Sequence, residues 1–241
     1  MIINEKIMKM INKKIAIITA RGGSKRIPNK NIRNFNGKPI IAYSIETTIN
    51  SNIFDEVMVS TDSKEIAEVA KKFGAKVPFF RSKENSDDFS STADVIYEVL
   101  NDYKKINQLF DIACCIYPTA VFINEKKLKI GLEKIENSDF DSLIPVVKFS
   151  YPIQRALKIK DDNLHFFLPE NINKRSQDLE SAYHDCGQFY FLKVDKFLEN
   201  KKIFGDKSTF IELAESEVQD IDNEEDWKIA EIKYQILNKN G

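Results

Sequence analysis

Ile15-Ala16-Ile17-Ile18-Thr19-Ala20-Arg21-Gly22-Gly23-Ser24-Lys25-Arg26-Ile27-Pro28-Asn29-Lys30-Asn31 joins a short apolar run directly to a loop rich in glycine and cations. The run Ile15 to Ile18 reads as a strand buried on both faces. Paired Gly22 and Gly23 carry no Cβ, which lets a backbone approach a ligand closely. Arg21, Lys25, Arg26 and Lys30 fall within ten residues of loop. Exposed amides and clustered cations together suit a triphosphate. The segment is no Walker A loop, because Pro28 stands where the second glycine of GxxxxGK[ST] should follow Gly23, and it contains no GxGxxG fingerprint. On the residues alone two readings stand: a triphosphate cradle, and a basic surface loop built on a glycine turn.

Outward from this stretch, strand-like and helical runs alternate. Gly37-Lys38-Pro39 announces a helix with Ile41, Ser44, Ile45 and Thr48 at three-four spacing. Val57 to Ser60 reads as a strand, and Asp62-Ser63-Lys64-Glu65 has capping-box spacing before a stripe of Ile66, Val69, Ala70 and Phe73 that ends at Gly74. Further strands are expected at Val77 to Phe80, Ile112 to Ile116, Leu143 to Val147 and Gln188 to Val194. Helices are expected at Ala93 to Tyr103 and Glu125 to Ile135. A last helix follows Asp222-Asn223-Glu224-Glu225, with Ile229, Ile232, Lys233 and Ile236 at helical spacing. This rhythm predicts the α/β class: a mostly parallel sheet with helices on both faces and a ligand beyond the carboxyl ends of the strands. Between Phe149 and Asp185 the rhythm breaks. A structureless loop of that length is improbable, so the segment is expected to form a small lobe packed on a second subunit.

The 241 residues suffice for one sizeable core, and we expect a single domain over 13–241 with 150–186 as an inserted lobe. Charged residues make up 30% and the formal net charge is −1, which gives no footing for a nucleic-acid or anionic-membrane partner. No apolar run approaches a membrane span, and Met1 to Lys14 lacks a continuous signal-peptide core, with Met8 and Met10 as alternative starts. Cys114 and Cys115 are neighbours on a strand and point to opposite faces. With Cys186 they read as buried small hydrophobes of a reducing cytoplasm. With two histidines in the chain, a histidine-rich zinc site is disfavoured.

Asp220-Ile221-Asp222 places two carboxylates on one side of an extended segment while Ile221 points inward. Two hard oxygen donors suit Mg²⁺, which completes its shell with water and substrate phosphate. The same residues equally suit an N-cap at Asp222 and a solvated charge at Asp220. Asp226, one turn on, reads as structural. Ser60-Thr61-Asp62 ends a strand at the edge of the basic loop and also suits a helix cap. His184 beside Asp185 reads either as a base or as a hydrogen-bonded structural pair.

The motif Ala20-Arg21-Gly22-Gly23-Ser24-Lys25 followed by Ile27-Pro28-Asn29-Lys30-Asn31 resembles the signature loop of the CMP-sialic acid synthetases, cytidylyltransferases that activate nine-carbon acidic sugars. Matches continue down nearly all the chain after about residue 13. The resemblance implies a Rossmann-like three-layer nucleotidyltransferase fold with CTP as substrate. It implies nucleotide contacts from Ala20, Arg21, Gly22, Gly23, Ser24, Asn31 and Asp62, with Arg81, above Asp87 and Asp88, on the cytosine and Thr92 lining the base pocket. Asp220 and Asp222 match the family's magnesium dyad, and Arg21, Lys25, Lys30 and Asp222 its catalytic set. Tyr117-Pro118-Thr119-Ala120 departs from the Gln-Pro-Thr-Ser of the sialic acid enzymes, whose glutamine reads the sugar, and so argues against sialic acid itself.

The strings Tyr151 to Leu157, Arg175-Ser176-Gln177-Asp178-Leu179 and Tyr183 to Tyr190 resemble the branch of the family that acts on pseudaminic acid, a diacetamido trideoxy nonulosonate. That implies transfer of CMP from CTP to the sugar's C2 hydroxyl for bacterial surface glycan or flagellin glycosylation. Tyr117, Arg155, Arg175, Gln177 and Gln188 are the implied sugar contacts, with Arg155 or Arg175 clamping the carboxylate. The lobe would dimerise and reach into the partner's site, giving a cytoplasmic homodimer. The alternatives are a synthetase for legionaminic or N-acetylneuraminic acid, and a non-catalytic CTP-binding protein.

Overall fold

Apolar side chains fill every interior position of β1 (Lys14–Thr19), and they alternate between two cores as a strand requires. Ala16 and Ile18 enter one cluster, Ile15 and Ile17 the other. The computed structural model describes residues 13–87 and 89–238. The start alternatives Met8 and Met10, residues 1–12 of the segment expected to lack a signal core, and Asp88 lie outside the described residues.

Beside β1 stand β4 (Glu56–Ser60) and β5 (Ile112–Ile116), both parallel to it. Between β1 and β4 in sequence, β2 (Asn34–Phe35) and β3 (Lys38–Pro39) form a small separate ribbon. The main sheet continues with β6 (Ser142–Lys148), β9 (Tyr183–Asp185), β10 (Phe189–Lys193) and β11 (Ser208–Leu213). Strand order is β11-β6-β10-β5-β1-β4, with β9 on β6. Since β10 runs antiparallel to both β5 and β6, and β9 antiparallel to β6, five strands share one direction and β9 and β10 oppose them. The sheet is mostly parallel, as expected.

Among the described residues there are six α-helices: α1 (Ile40–Asn50), α2 (Lys64–Lys72), α3 (Thr92–Lys105), α4 (Glu125–Glu136), α5 (Val194–Asn200) and α6 (Glu224–Asn238). One face of the sheet packs on α1, α2 and α4, the other on α3 and α5. Cys114 and Cys115 lie in opposite clusters, both buried free thiols, as is Cys186. No described helix is long and apolar enough to cross a membrane.

Gly131 on α4 is set by this packing. A Cβ there would lie 2.8 Å from Cε2 of Phe191 in β10. Gly131→Ala gains about 1 kcal/mol of helix propensity, but overpacking against a core ring costs roughly 1–3 kcal/mol. We expect a net lower urea midpoint with an unchanged slope; an unchanged or raised midpoint would mean Phe191 yields freely.

Four expectations are corrected. Val77 to Phe80 is no strand: a single bridge joins Lys76 to Met58, and Pro78 has no N–H with which to continue a ladder. The cap of α2 is Ser63, whose Oγ accepts from the Ile66 amide, not Asp62. The stripe read on α6 is rotated: Ile232 and Ile236 are 58% and 59% exposed, whereas Trp227 and Ala230 are buried. Trp227 and Tyr234 of α6 meet Phe35 edge-on at 5.5 and 5.6 Å, and aromatic area outweighs the isoleucines in choosing the face. The segment after Phe149 contains an unforeseen hairpin, β7 (Leu157–Lys160) and β8 (Asn163–Phe166). Asp161 and Asp162 turn it with φ of 51° and 58°, the geometry of a two-residue type I′ turn.

Candidate active site

Register brings three loops to one edge of the sheet. Thr19 pairs with Ser60 and Ile18 with Ile116, so the chain leaves β1, β4 and β5 side by side at their carboxyl ends. A cleft of about 380 Å³ opens there, lined by Arg21, Ser24, Lys25, Arg26, Lys30 and Asn31 of the first loop. Arg81, Thr92 and Tyr117 add side chains from the other two connections, and Asp220 and Asp222 complete the wall.

The distant acidic segment reaches the basic loop because a third apolar cluster holds both. Ile27 of the loop packs with Phe35, Tyr43, Ile221 and Trp227, all buried. Ile221 is fully buried between its two aspartates, so both flanking carboxylates are left on the cleft side. Arg33 reinforces the joint: it grips Glu224 through two hydrogen bonds of 2.5 and 3.0 Å and stacks 4.5 Å from the Trp227 ring centroid. Arg26 Nη2 donates to Asp222 Oδ1 at 2.8 Å, and Lys30 Nζ donates to the Ile221 carbonyl at 2.6 Å. Partial burial, then the Asp222 charge, raises the Asp220 carboxyl above its usual range, while Lys30 opposes the rise.

The capping alternative for Asp222 is corrected. Asn223 Oδ1 accepts from the amides of Glu225 and Asp226, and Asp226 Oδ2 accepts from those of Asp222 and Asn223. Asn223 and Asp226 therefore secure the start of α6, and Asp226 is structural as expected. The Asp222 carboxylate faces the cations instead.

The glycine cradle also works differently from expectation. The Ala20 amide donates to the Ser60 carbonyl and the Gly22 amide to Asp62 Oδ1, so both are already spent inside the protein. Ala20, Gly22, Gly23 and Asp62 are not among the cleft-lining residues. A Cβ on Gly22 would stand 3.1 Å from Ser63 Cβ, whereas one on Gly23 would meet nothing. Gly22 is thus needed for packing against the turn after β4, and Asp62 braces the loop from behind. Asn31, buried, ties the loop's two ends by donating to the Arg21 carbonyl at 2.9 Å. Arg21 Nη1 donates to the Asp87 carbonyl, bridging to the loop before α3. Arg81 donates to Ser60 through Nε and Nη2, and desolvation lowers its guanidinium from the usual value.

A second cleft of about 690 Å³ adjoins the first, sharing Tyr117 and Asp220 with it. Val147, Phe149, His184, Asp185, Cys186, Tyr190 and Lys233 contribute to its lining. His184 Nδ1 lies 2.9 Å from the Asp185 carbonyl and its ring packs on Phe149 at 4.7 Å. That is a structural arrangement, although its partner is the backbone and not the Asp185 carboxylate.

Of the expected sugar contacts, only Tyr117 lines either cleft. Gln188 is buried and donates to the Glu217 carbonyl at 2.6 Å. Arg175 is bound to Asp178 through two hydrogen bonds, Arg155 reaches the Lys174 carbonyl, and Gln177 borders a small hollow that shares Lys148, Phe149, Ser150 and Tyr151 with the second cleft. Sequence reasoning missed Arg33 and Trp227. The single tryptophan was the one available signal for the joint between α6 and the basic loop.

A family model described as cytidylyltransferase matches residues 15–232. The pseudaminic acid cytidylyltransferase of Campylobacter jejuni subsp. jejuni serotype O:2 is 45% identical over 230 residues, 95% of this chain and 99% of that protein. The CMP-N,N'-diacetyllegionaminic acid synthase of Legionella pneumophila is 32% identical, over 93% of this chain and 97% of its own. A CMP:2-keto-3-deoxy-manno-octonic acid synthetase solved with CTP superposes with a TM-score of 0.68 at 17% identity, covering 94% of this chain and 99% of the other, and so shares the fold.

Proposed function

The chain belongs to the cytidylyltransferase family, and from that membership we propose that it transfers CMP from CTP to the C2 hydroxyl of pseudaminic acid, releasing pyrophosphate. The observation that carries this reading is the convergence of Lys25, Arg26 and Lys30 with Asp220 and Asp222 on one cleft that opens into a second. The triphosphate would lie along the cations, and the sugar in the larger cleft, beyond Tyr117.

The sugar hydroxyl forms a bond to the α-phosphorus as the bond to the bridging oxygen of pyrophosphate breaks, and the hydroxyl proton is lost. No protein nucleophile is required. What the chain supplies is alignment and charge. Arg21, Lys25 and Lys30 neutralise the triphosphate and the charge that gathers on departing pyrophosphate. Asn31 fixes the loop that bears them, and Arg81 and Thr92 wall the far end of the cleft, where the base would sit.

Asp220 and Asp222 would hold Mg²⁺. Two carboxylates fit that ion when a substrate phosphate and water complete its shell, and no larger cluster of ligating side chains occurs among the described residues. When bound, the ion polarises the α-phosphate and increases the acidity of the incoming hydroxyl.

We take the lobe at 150–186 as the contact surface of a homodimer, and the three free buried thiols fit a reducing cytoplasm. Tyr151, Ile159 and Leu164 are 84%, 77% and 68% exposed, apolar side chains that a second copy of the chain would cover. Arg155, Arg175 and Gln177, which line neither cleft of their own chain, would then serve the partner's sugar. Arg175→Ala is expected to raise the KM for sugar more than that for CTP, and the reverse order would remove it as a carboxylate clamp. Sedimentation should give twice the chain mass; a monomer would leave these three residues without a role.

Pyrophosphate release with CTP, Mg²⁺ and a panel of nonulosonic acids tests the whole reading. Fastest turnover of pseudaminic acid supports it. Preference for legionaminic or N-acetylneuraminic acid would move the assignment within the family.

A further inference from the structure

Two surfaces must stay in register for the smaller cleft to exist: the basic loop near the start of the chain and the acidic segment near its end. Apolar packing of Ile27, Phe35, Ile221 and Trp227 presses them together. Burial of that kind is non-directional, so by itself it leaves the two free to slide or turn. Arg33 and Glu224 supply the direction. Arg33 follows the 3-10 turn Lys30–Ile32, and its amide donates to the Asn29 carbonyl at 3.0 Å and to the Lys30 carbonyl at 3.4 Å. A shift of Arg33 is therefore passed to Lys30. Glu224 opens α6 two residues after Asp222. Its two carboxylate oxygens accept from the two terminal nitrogens of Arg33, a fork that fixes angle as well as distance.

The surface beneath the fork is held too. The guanidinium lies over the Trp227 ring, and Trp227 Nε1 donates to Glu231 Oε1 at 3.1 Å. Glu224 and Glu231 both face the arginine and raise its guanidinium above the usual value, while Lys228 faces Glu224. Further along the helix, Gln235 Nε2 donates to Asn36 Oδ1 at 3.0 Å, in the turn between β2 and β3. As a source of stability the Arg33–Glu224 pair is modest, since the side chains are 36% and 54% exposed and exposed pairs contribute little. What it fixes is the place of Asp220 and Asp222 relative to Arg26 and Lys30.

We propose that Arg33 and Glu224 are positioning residues for the nucleotidyl transfer: their fork, seated on Trp227, sets the register of the Asp220–Asp222 segment against the basic loop. Neither lines a cleft. They act through Lys30 on one side and Asp222 on the other. This inference rests on the transfer reading above.

The test measures kcat and the KM for CTP, with Mg²⁺ and the nonulosonic acid that the wild type prefers. The variants are Arg33→Gln, Glu224→Gln, the double variant carrying both, and Arg33→Lys. The first two change the local charge in opposite senses. A long-range charge effect on the triphosphate would move them in opposite directions, whereas lost register lowers kcat in both. We expect a fall of about tenfold or more in each single variant, because small misplacements are costly where reacting groups must be aligned. The double variant should lose little more than either single one, as expected of two partners in one interaction. Arg33→Lys keeps the charge without the planar fork and should lose nearly as much as Arg33→Gln. Trp227 is the single tryptophan of the chain, so its emission reports on the joint with no ligand present. It should shift to longer wavelength in each variant while the far-ultraviolet circular dichroism stays that of the wild type. Opposite changes in the KM for CTP, additive losses, or a wild-type kcat with only a lower melting temperature would each overturn the inference and leave the transfer reading standing. A wild type that releases pyrophosphate with no nonulosonic acid would remove the transfer reading and the inference with it. Should Arg33→Gln fold poorly, Glu224→Gln and Arg33→Lys decide.

Discussion

Asp222→Asn is expected to abolish measurable pyrophosphate release while leaving the chain folded. Both halves follow from where the carboxylate sits. Asn223 and Asp226 hold the start of α6, so removing the Asp222 charge leaves those hydrogen bonds in place. Its pair with Arg26 lies at the surface, with the arginine side chain 69% exposed, and such pairs contribute roughly 0–1 kcal/mol. Stability should therefore change little, and the urea midpoint checks it. The amide, however, is a far weaker ligand for a hard divalent cation and no longer balances Arg26 and Lys30. The cations would then lose the counter-charge that keeps them spread along the cleft. Turnover within a few fold of wild type, at matched midpoint, would eliminate the acidic pair from the chemistry. Asp226→Asn makes the complementary comparison: it touches only the helix start and is expected to cost stability before activity.

The elements most legible in the sequence are those whose burial is symmetrical. Ile15 to Ile18 and Ile112 to Ile116 are apolar throughout because helices cover both sheet faces, and a short run of that kind fits little besides a central strand. The loop between Ala20 and Asn31 is legible as a unit, yet its internal roles are not. Glycine spacing carries no information on whether an amide meets a ligand or an aspartate, and here Asp62 takes the Gly22 amide. The face of α6 is obscured because isoleucines at helical spacing look like a core stripe, while the buried face is chosen by Phe35 and Tyr43, far earlier in the chain. The same long-range packing hides Arg33. Tyr190 stands in an unusual string, but its edge-on contact with Tyr117 depends on β10 running antiparallel beside β5, which puts Tyr190 opposite Cys115. Sequence spacing alone cannot reveal strand pairing across so long a stretch of chain.

Lys25→Ala should lower kcat on the order of a hundredfold, the loss typical of removing one positioned donor from a developing charge, about 2.7 kcal/mol. Lys25 lies on the cleft wall between Ser24 and Arg26, on a loop whose ends are tied by Asn31 and whose back is braced by Asp62. Truncating an exposed side chain leaves those braces intact, so the fold should be unaffected. The way the loss divides between parameters carries the information. Charge on the bridging oxygen grows as pyrophosphate departs, so a cation aimed there binds the transition state more strongly than bound CTP, and kcat falls more than KM rises. If KM for CTP rises while kcat holds, Lys25 serves binding alone and the transition-state role passes to Arg21 or Lys30. Lys25→Arg separates charge from shape, because a planar fork replaces a compact ammonium at the same point. Partial recovery there is expected if net charge dominates. An unchanged rate in Lys25→Ala would return this lysine to the basic-surface-loop reading, and the cleft would need another source of positive charge on the leaving group.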